Sequence, residues 1–168
     1  EPSELAADSV DMEPVLRWCV HKYDQDRGRK PTWLFLLQCT SPLKLSKDIW
    51  ACASIARTDD YDHIYSCVPS AHSSWRYDGK TYIPEWPQAK ALRRMLRQEA
   101  GQQITENGAI YGMRIERFLA EDTRFCGRPC PYVMPKWTDR EIDDPDDLAL
   151  VEMLMRARIQ LGSDGVRT

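Results

Sequence analysis

Three short stretches of this chain combine residue types that sugar, phosphate and metal chemistry need. The first is Gln38-Cys39-Thr40-Ser41-Pro42, a polar set directly behind an apolar run. In open α/β sheets ligands bind beyond the carboxyl ends of strands, which makes this a candidate binding loop. The blander alternative is that Gln38 and Thr40 satisfy loop backbone groups. The second stretch is residues 106–111 (Glu-Asn-Gly-Ala-Ile-Tyr), preceded by a basic segment with Lys90, Arg93, Arg94 and the pair Arg97-Gln98. A guanidinium fork donates two parallel hydrogen bonds and so suits a carboxylate or phosphate, although a solvated basic helix face has the same composition. The third is Glu141-Ile142-Asp143, followed by Asp144, Asp146 and Asp147. Residues i and i+2 of an extended segment point to one side, so Glu141 and Asp143 can converge on one hard divalent cation. Magnesium needs only one or two carboxylates plus substrate phosphates. Asp144 before Pro145 also reads as an N-cap followed by a first-turn proline, with Asp146 and Asp147 favouring the positive helix end. The two readings of this acidic stretch are compatible.

Elements must hold these stretches in place. Residues 12–23 read as a helix, with Asp11 as N-cap and Pro14 in the first turn. Residues 33–38 form a nearly continuous apolar run, which suits a strand covered on both faces in a parallel sheet. A helix over about residues 46–57 and a buried strand over 63–68 complete a βαβ pattern. From Pro69 to Pro87 the composition changes, with Trp75, Tyr77, Tyr82 and Trp86 among Gly79, Pro84 and Pro87. This reads as a hairpin or arm, either a contact surface or a hairpin packed on its own domain. A helix over 88–100, a strand over 108–111, a short helix over 114–120 and a brief strand over 132–134 follow. A closing helix over 145–161 carries Leu148, Val151, Leu154, Met155 and Ile159 at helical spacing.

Bulk properties restrict the classes. The 168 residues suit one domain with a real core. A hydrophobic content of 42% and a charged content of 29% are those of a soluble globular chain. The net charge of −3 gives no bulk attraction to nucleic acid or acidic membranes. No apolar run approaches the roughly 20 residues that span a bilayer. The six cysteines include no CxxC pair, and Cys126 and Cys130 lack the partner ligands of a zinc site, so reduced thiols and a cytoplasmic location are expected.

Taken in order, the clusters resemble the acylneuraminate cytidylyltransferase family. Residues 36–43 (Leu-Leu-Gln-Cys-Thr-Ser-Pro-Leu) are similar to its Leu-Leu-Gln-Pro-Thr-Ser-Pro-Leu strand end, and Arg97-Gln98 to its Arg-Gln pair. Residues 106–111 resemble its Glu-Asn-Gly-Ala-Ile-Tyr motif, and residues 131–135 (Pro-Tyr-Val-Met-Pro) its next strand. Residues 141–147 look like its Asp-Ile-Asp metal motif, and residues 2–8 like its Arg-Pro-x-x-Leu-Ala-x-Asp segment. The resemblance implies an α/β fold: a three-layer αβα, Rossmann-like nucleotide-diphospho-sugar transferase domain over 1–168. Residues 69–100 would be a small β-rich dimerisation arm.

It further implies a homodimeric enzyme that couples CTP to a nine-carbon keto sugar acid (sialic acid), with Mg²⁺, giving CMP-sugar and pyrophosphate. Gln38, Arg97, Gln98, Asn107 and Tyr111 would line the sugar site, with Arg97 and Asp143 serving catalysis. Asp143 and Glu141 would hold the metal. Phe125 matches an aromatic that the family donates across the dimer interface. Glu141 replaces the family's first Asp, Cys39 a Pro, Thr105 an Arg and Cys126 a second aromatic. The family's basic Gly-rich loop for the triphosphate is not found in these residues. We therefore expect an N-terminally incomplete fold, a sheet edge left exposed, and an isolated chain inactive in transfer. The resemblance leaves open a legionaminate-type relative, a non-catalytic sugar-acid-binding or dimerisation module, and a nuclear location for an animal protein.

Overall fold

The computed structural model describes residues 2–7, 9–70, 75–84 and 103–160. A 3₁₀ turn, Ser3–Ala6, leads to helix α1, Met12–Arg27. Asp11 enters it in an extended conformation, and Pro14 lies in the first turn, where no intrahelical bond is lost. Gly28 stops it in the left-handed region (φ 61°), its N–H donating to Asp24 O at 2.8 Å. Strand β1 is Trp33–Leu36, helix α2 Ser46–Ile55 and strand β2 His63–Ser70. At the start of α2 the Asp48 carboxylate accepts the Leu45 N–H at 2.8 Å and the Tyr132 hydroxyl at 3.0 Å. One buried carboxylate thus caps the helix and ties it to the sheet. Strands β3, Trp75–Tyr77, and β4, Tyr82–Pro84, form a separate two-stranded hairpin. Then come strand β5, Gln103–Arg114, helix α3, Ile115–Glu121, strand β6, Pro129–Val133, and helix α4, Pro145–Gln160.

The main sheet has the order β1-β5-β2-β6. Strand β5 runs antiparallel to both β1 and β2, whereas β2 and β6 are parallel. Helices cover both faces. On one face Cys52 of α2 and Ala56, its C-cap, meet Ile64, Val68, Ile110 and Met134. On the other, Leu16 of α1 and Phe118 of α3 meet Tyr111, Met113 and Cys126. The alternation of Ile110 with Tyr111 sends neighbouring side chains of β5 into opposite cores. Each fully buried side chain of the size of Ile110 or Met113 contributes about 1.5–3 kcal/mol. Where Phe35 of β1 faces Gly112 of β5, the ring lies over the glycine, and a Cβ there would meet ring carbon Cε1 at 2.6 Å. No helix among the described residues is long and apolar enough to cross a membrane.

Three expectations need correction. Strand β1 is not a both-faces-buried member of a parallel sheet. It is half-buried, pairs antiparallel with β5, and has one unpaired edge among the described residues. The strand with the continuous buried run, residues 107–113, is β5, because it lies between β1 and β2. The βαβ pattern therefore has its two parallel strands separated by an antiparallel one. On α4 only Val151 of the five spaced apolar residues is fully buried, and Leu148 and Ile159 are exposed, because only a narrow stripe of the helix meets the domain. The expected helix over 88–100 lies outside the described residues.

Candidate functional site

The site is organised by an interruption in β5. Tyr111 pairs with Tyr65 of β2, but Glu106 pairs with Cys67, so five residue steps of β5 are spanned by two of β2. The surplus residues bulge, and buried polar groups stabilise them. The Ile110 N–H donates to Ser66 Oγ at 2.8 Å. The Asn107 amide, 2% exposed, donates to Thr138 Oγ1 at 3.2 Å and to Thr138 O at 3.4 Å, and its Oδ1 accepts the Ala109 N–H at 3.5 Å. Asn107 therefore shapes the bulge through bonds inside the protein. Gly108 sits at its tip with φ +66°, a conformation that glycine adopts without strain.

The Glu141 carboxylate closes on that glycine. A Cβ on Gly108 would fall 2.1 Å from Glu141 Oε1 and 3.0 Å from Oε2. The buried Ser41 hydroxyl donates to the same Oε1 at 3.2 Å, and the Ile142 N–H donates to Thr40 O at 2.8 Å. Residues 40–41, 108 and 141–142, remote in sequence, thus form one contiguous cluster, with Ser41 and Gly108 buried and Thr40, Glu141 and Ile142 half-buried. The loop behind it is held by Lys44, whose ammonium donates to Gln38 O at 2.5 Å and Ser41 O at 2.9 Å. Burial lowers the Lys44 pKa from its ordinary value, and the neighbouring Cys39 opposes that shift. Gln38 itself is half-buried beside this loop.

An aromatic face adjoins. The Tyr111 hydroxyl donates to Glu106 Oε2 at 2.9 Å. Burial raises the Tyr111 pKa first, the Glu106 hydrogen bond and charge add to it, and Arg124 opposes. Phe125, 45% exposed, meets the edges of Tyr111 and His63, each with ring centroids 6.0 Å apart. The Arg124 guanidinium lies 5.3 Å from the Tyr111 ring centroid and 5.6 Å from that of Phe125. His63 is buried, with Nδ1 2.6 Å from Cys126 O, which fixes the ring against Phe125. Within one chain Phe125 thus stands beside Tyr111.

The acidic stretch divides its labour. Asp144 Oδ1 accepts the N–H groups of Asp146 (2.8 Å) and Asp147 (2.9 Å), which caps α4. Asp147 Oδ2 accepts the Asp143 N–H at 3.2 Å. The Asp143 carboxylate is exposed and has no partner among the described residues. Glu141, by contrast, turns inward to Ser41 and Gly108. Among the described residues no three His, Cys, Asp or Glu side chains gather to hold a metal ion, and magnesium completed by substrate phosphates requires no such group. Asp143 offers the hard, free oxygen donor such an ion takes, so the stretch fits magnesium through Asp143.

The structure therefore brings together Asn107 and Glu141 around the bulge, places Gln38 in the loop that carries Ser41, and sets Tyr111 with Phe125 on the aromatic face. Arg97 and Gln98 lie outside the described residues. Sequence reasoning placed Ser41 and Glu106 within its candidate stretches but missed Lys44, His63 and Arg124 as parts of this region. Two signals pointed to them: Lys44 closely follows the polar loop, and Arg124 directly precedes Phe125. No protein-family model matches the chain, and no curated protein sequence matches it significantly.

Proposed function

We propose that this chain forms the acceptor side of a cytidylyltransferase that couples CTP to a nine-carbon keto sugar acid of the sialic-acid type, with release of pyrophosphate. One observation carries the reading: the three stretches singled out by their chemistry meet, through Ser41, Gly108 and Glu141. Tyr111 and Phe125 would pack on the apolar side of the sugar, and Gln38 and Glu106 would take its hydroxyls. Arg97 and Gln98 enter on the resemblance alone. Asp143 would hold Mg²⁺, which when bound neutralises charge on the phosphates. The chain's own residues position the acid so that its anomeric hydroxyl meets the α-phosphorus in line. The β3–β4 hairpin, with Tyr77 and Tyr82 exposed, is proposed as a contact between two copies, and the cytoplasm as the location.

The basic Gly-rich triphosphate loop of the family does not occur in these 168 residues. The chain by itself should therefore bind N-acetylneuraminic acid without making CMP-sugar from CTP. Calorimetric titration with the acid, paired with a pyrophosphate-release assay, tests both parts. Failure to bind the acid at millimolar concentration refutes the reading, and full turnover refutes the assignment to the acceptor side. A second reading, a non-catalytic sugar-acid-binding module, is favoured by the inward turn of Glu141, which engages one of the two carboxylates expected to hold the metal with Ser41 and Gly108. A legionaminate-type acid would occupy the same surface, and competition between the two acids decides between them.

A further inference from the structure

Arg124 lies at the aromatic face, and its surroundings show what its charge is for. The guanidinium spans the rings of Tyr111 and Phe125, at 5.3 and 5.6 Å. Its Nε is buried and makes no hydrogen bond, although Glu13 Oε1 of α1 lies 3.2 Å away. The two Nη groups are different. They have no partner among the described residues, and they are not among the buried unpaired atoms, so they open to solvent. The fork is thus held from behind by a carboxylate, supported from below by two aromatic rings, and free in front. A stacked guanidinium with its outer edge unpaired loses little freedom when it takes a second, bidentate partner. Arg17 on α1 is engaged by Asp122, and the other charges acting on the Tyr111 ring are acidic: Glu106 is bonded to Tyr111, and Glu141 is close enough to raise the Tyr111 pKa. Those carboxylates suit hydroxyls and repel an acid, which leaves Arg124 to receive the ligand's negative group.

We propose that Arg124 is a specificity-determining residue of this site, its two Nη groups receiving the carboxylate of a polyhydroxylated acid that lies on Tyr111 and Phe125. The proposal rests on the sugar-acid reading above. It assigns to Arg124 a part that sequence reasoning gave to Arg97, and it makes Glu13 a support rather than a ligand.

The probes are N-acetylneuraminic acid and its methyl ester, titrated calorimetrically into the 168-residue chain. The wild type should bind the acid more tightly than the ester. Arg124→Gln should weaken the acid by roughly tenfold or more, the effect of losing a charge-assisted pair, and leave the ester nearly unchanged. Arg124→Lys keeps the charge and the Glu13 pair but loses the fork, so it should recover part of the acid preference. Glu13→Gln keeps an acceptor for Nε and removes a competing charge, so it should bind the acid more tightly than wild type. If Arg124 is only a clamp between α1 and its loop, Glu13→Gln and Arg124→Gln should weaken both probes alike, and the proposal is overturned. Equal binding of acid and ester by the wild type removes the Arg124 assignment while leaving the sugar site. Absence of binding to either probe removes the sugar-acid reading and this proposal with it. Arg124→Lys, with its Glu13 pair preserved, keeps the test valid should Arg124→Gln not fold.

Discussion

Replacing Gly108 by alanine tests the geometry of the bulge most severely. The new Cβ would sit 2.1 Å from Glu141 Oε1 and 2.5 Å from Cδ, far inside contact distance, so the Glu141 side chain must leave. With it goes the hydrogen bond from Ser41 Oγ, whose residue is only 1% exposed. Leaving a buried hydroxyl unpaired costs about 1–3 kcal/mol. Holding alanine at φ +66° adds about 1–2 kcal/mol. The expected loss is therefore about 3 kcal/mol, a fall in Tm of roughly 6–12 °C for a domain of this size. Urea unfolding followed by tryptophan fluorescence measures it. The decisive comparison repeats the change in a Glu141→Ala background, where the clash and the Ser41 bond are already gone. Gly108→Ala should then cost only the backbone part, about 1–2 kcal/mol. Equal losses in the two backgrounds, or a loss under about 0.5 kcal/mol in the wild type, would refute the contact.

Asp62 has a side chain 8% exposed, accepts the Arg128 N–H at 2.9 Å and faces the Arg128 and Arg114 guanidinium groups. The backbone hydrogen bond from Arg128, with its guanidinium, holds the Asp62 pKa below the ordinary carboxylate value against the opposing effect of burial. Its contribution is thus present above about pH 4, the unfolded pKa, and lost as pH falls through the lowered folded value. Asp62→Asn should cost about 3 kcal/mol near neutral pH and less in acid, as read by unfolding at several pH values. Tyr111 has the opposite sign. Its raised pKa favours the neutral phenol in the fold, so that stability is present below about pH 10 and lost as pH rises through the higher folded value. Ultraviolet titration should show Tyr111 among the late-ionising tyrosines together with Tyr132, which burial and its Asp48 hydrogen bond also shift upward, and Glu106→Gln should bring Tyr111 alone down. Asp143→Ala should leave unfolding within about 0.5 kcal/mol of wild type, since its carboxylate is exposed and unpartnered. In a chain completed with a triphosphate loop, it should abolish Mg²⁺-dependent transfer.

Local chemistry made some elements legible. Asp11, Pro14 and Gly28 punctuate α1 in sequence and in space. The run over 63–68 is buried as β2, and Asp144 caps α4. Long-range pairing hid the rest. Of residues 103–106 only Ile104 is apolar and all are at least partly exposed, and they form strand only because β2 continues beyond the bulge to pair with them, as Val68 does with Thr105. No periodicity within 33–36 reveals that β5 lies beside it. The site followed the same division: its stretches were visible as motifs, but Ser41 against Glu141 and Arg124 against Glu13 join residues that are distant in sequence.

The central claim is that residues 38–42, 106–111 and 141–143, with Phe125, form one sugar-acid site. Backbone amide shift mapping during titration with N-acetylneuraminic acid tests it most directly. We predict saturable shifts clustered at Ser41, Gly108, Tyr111, Phe125 and Glu141, weakened by Arg124→Gln. Shifts absent from these residues, or confined to the β3–β4 hairpin, would contradict the account.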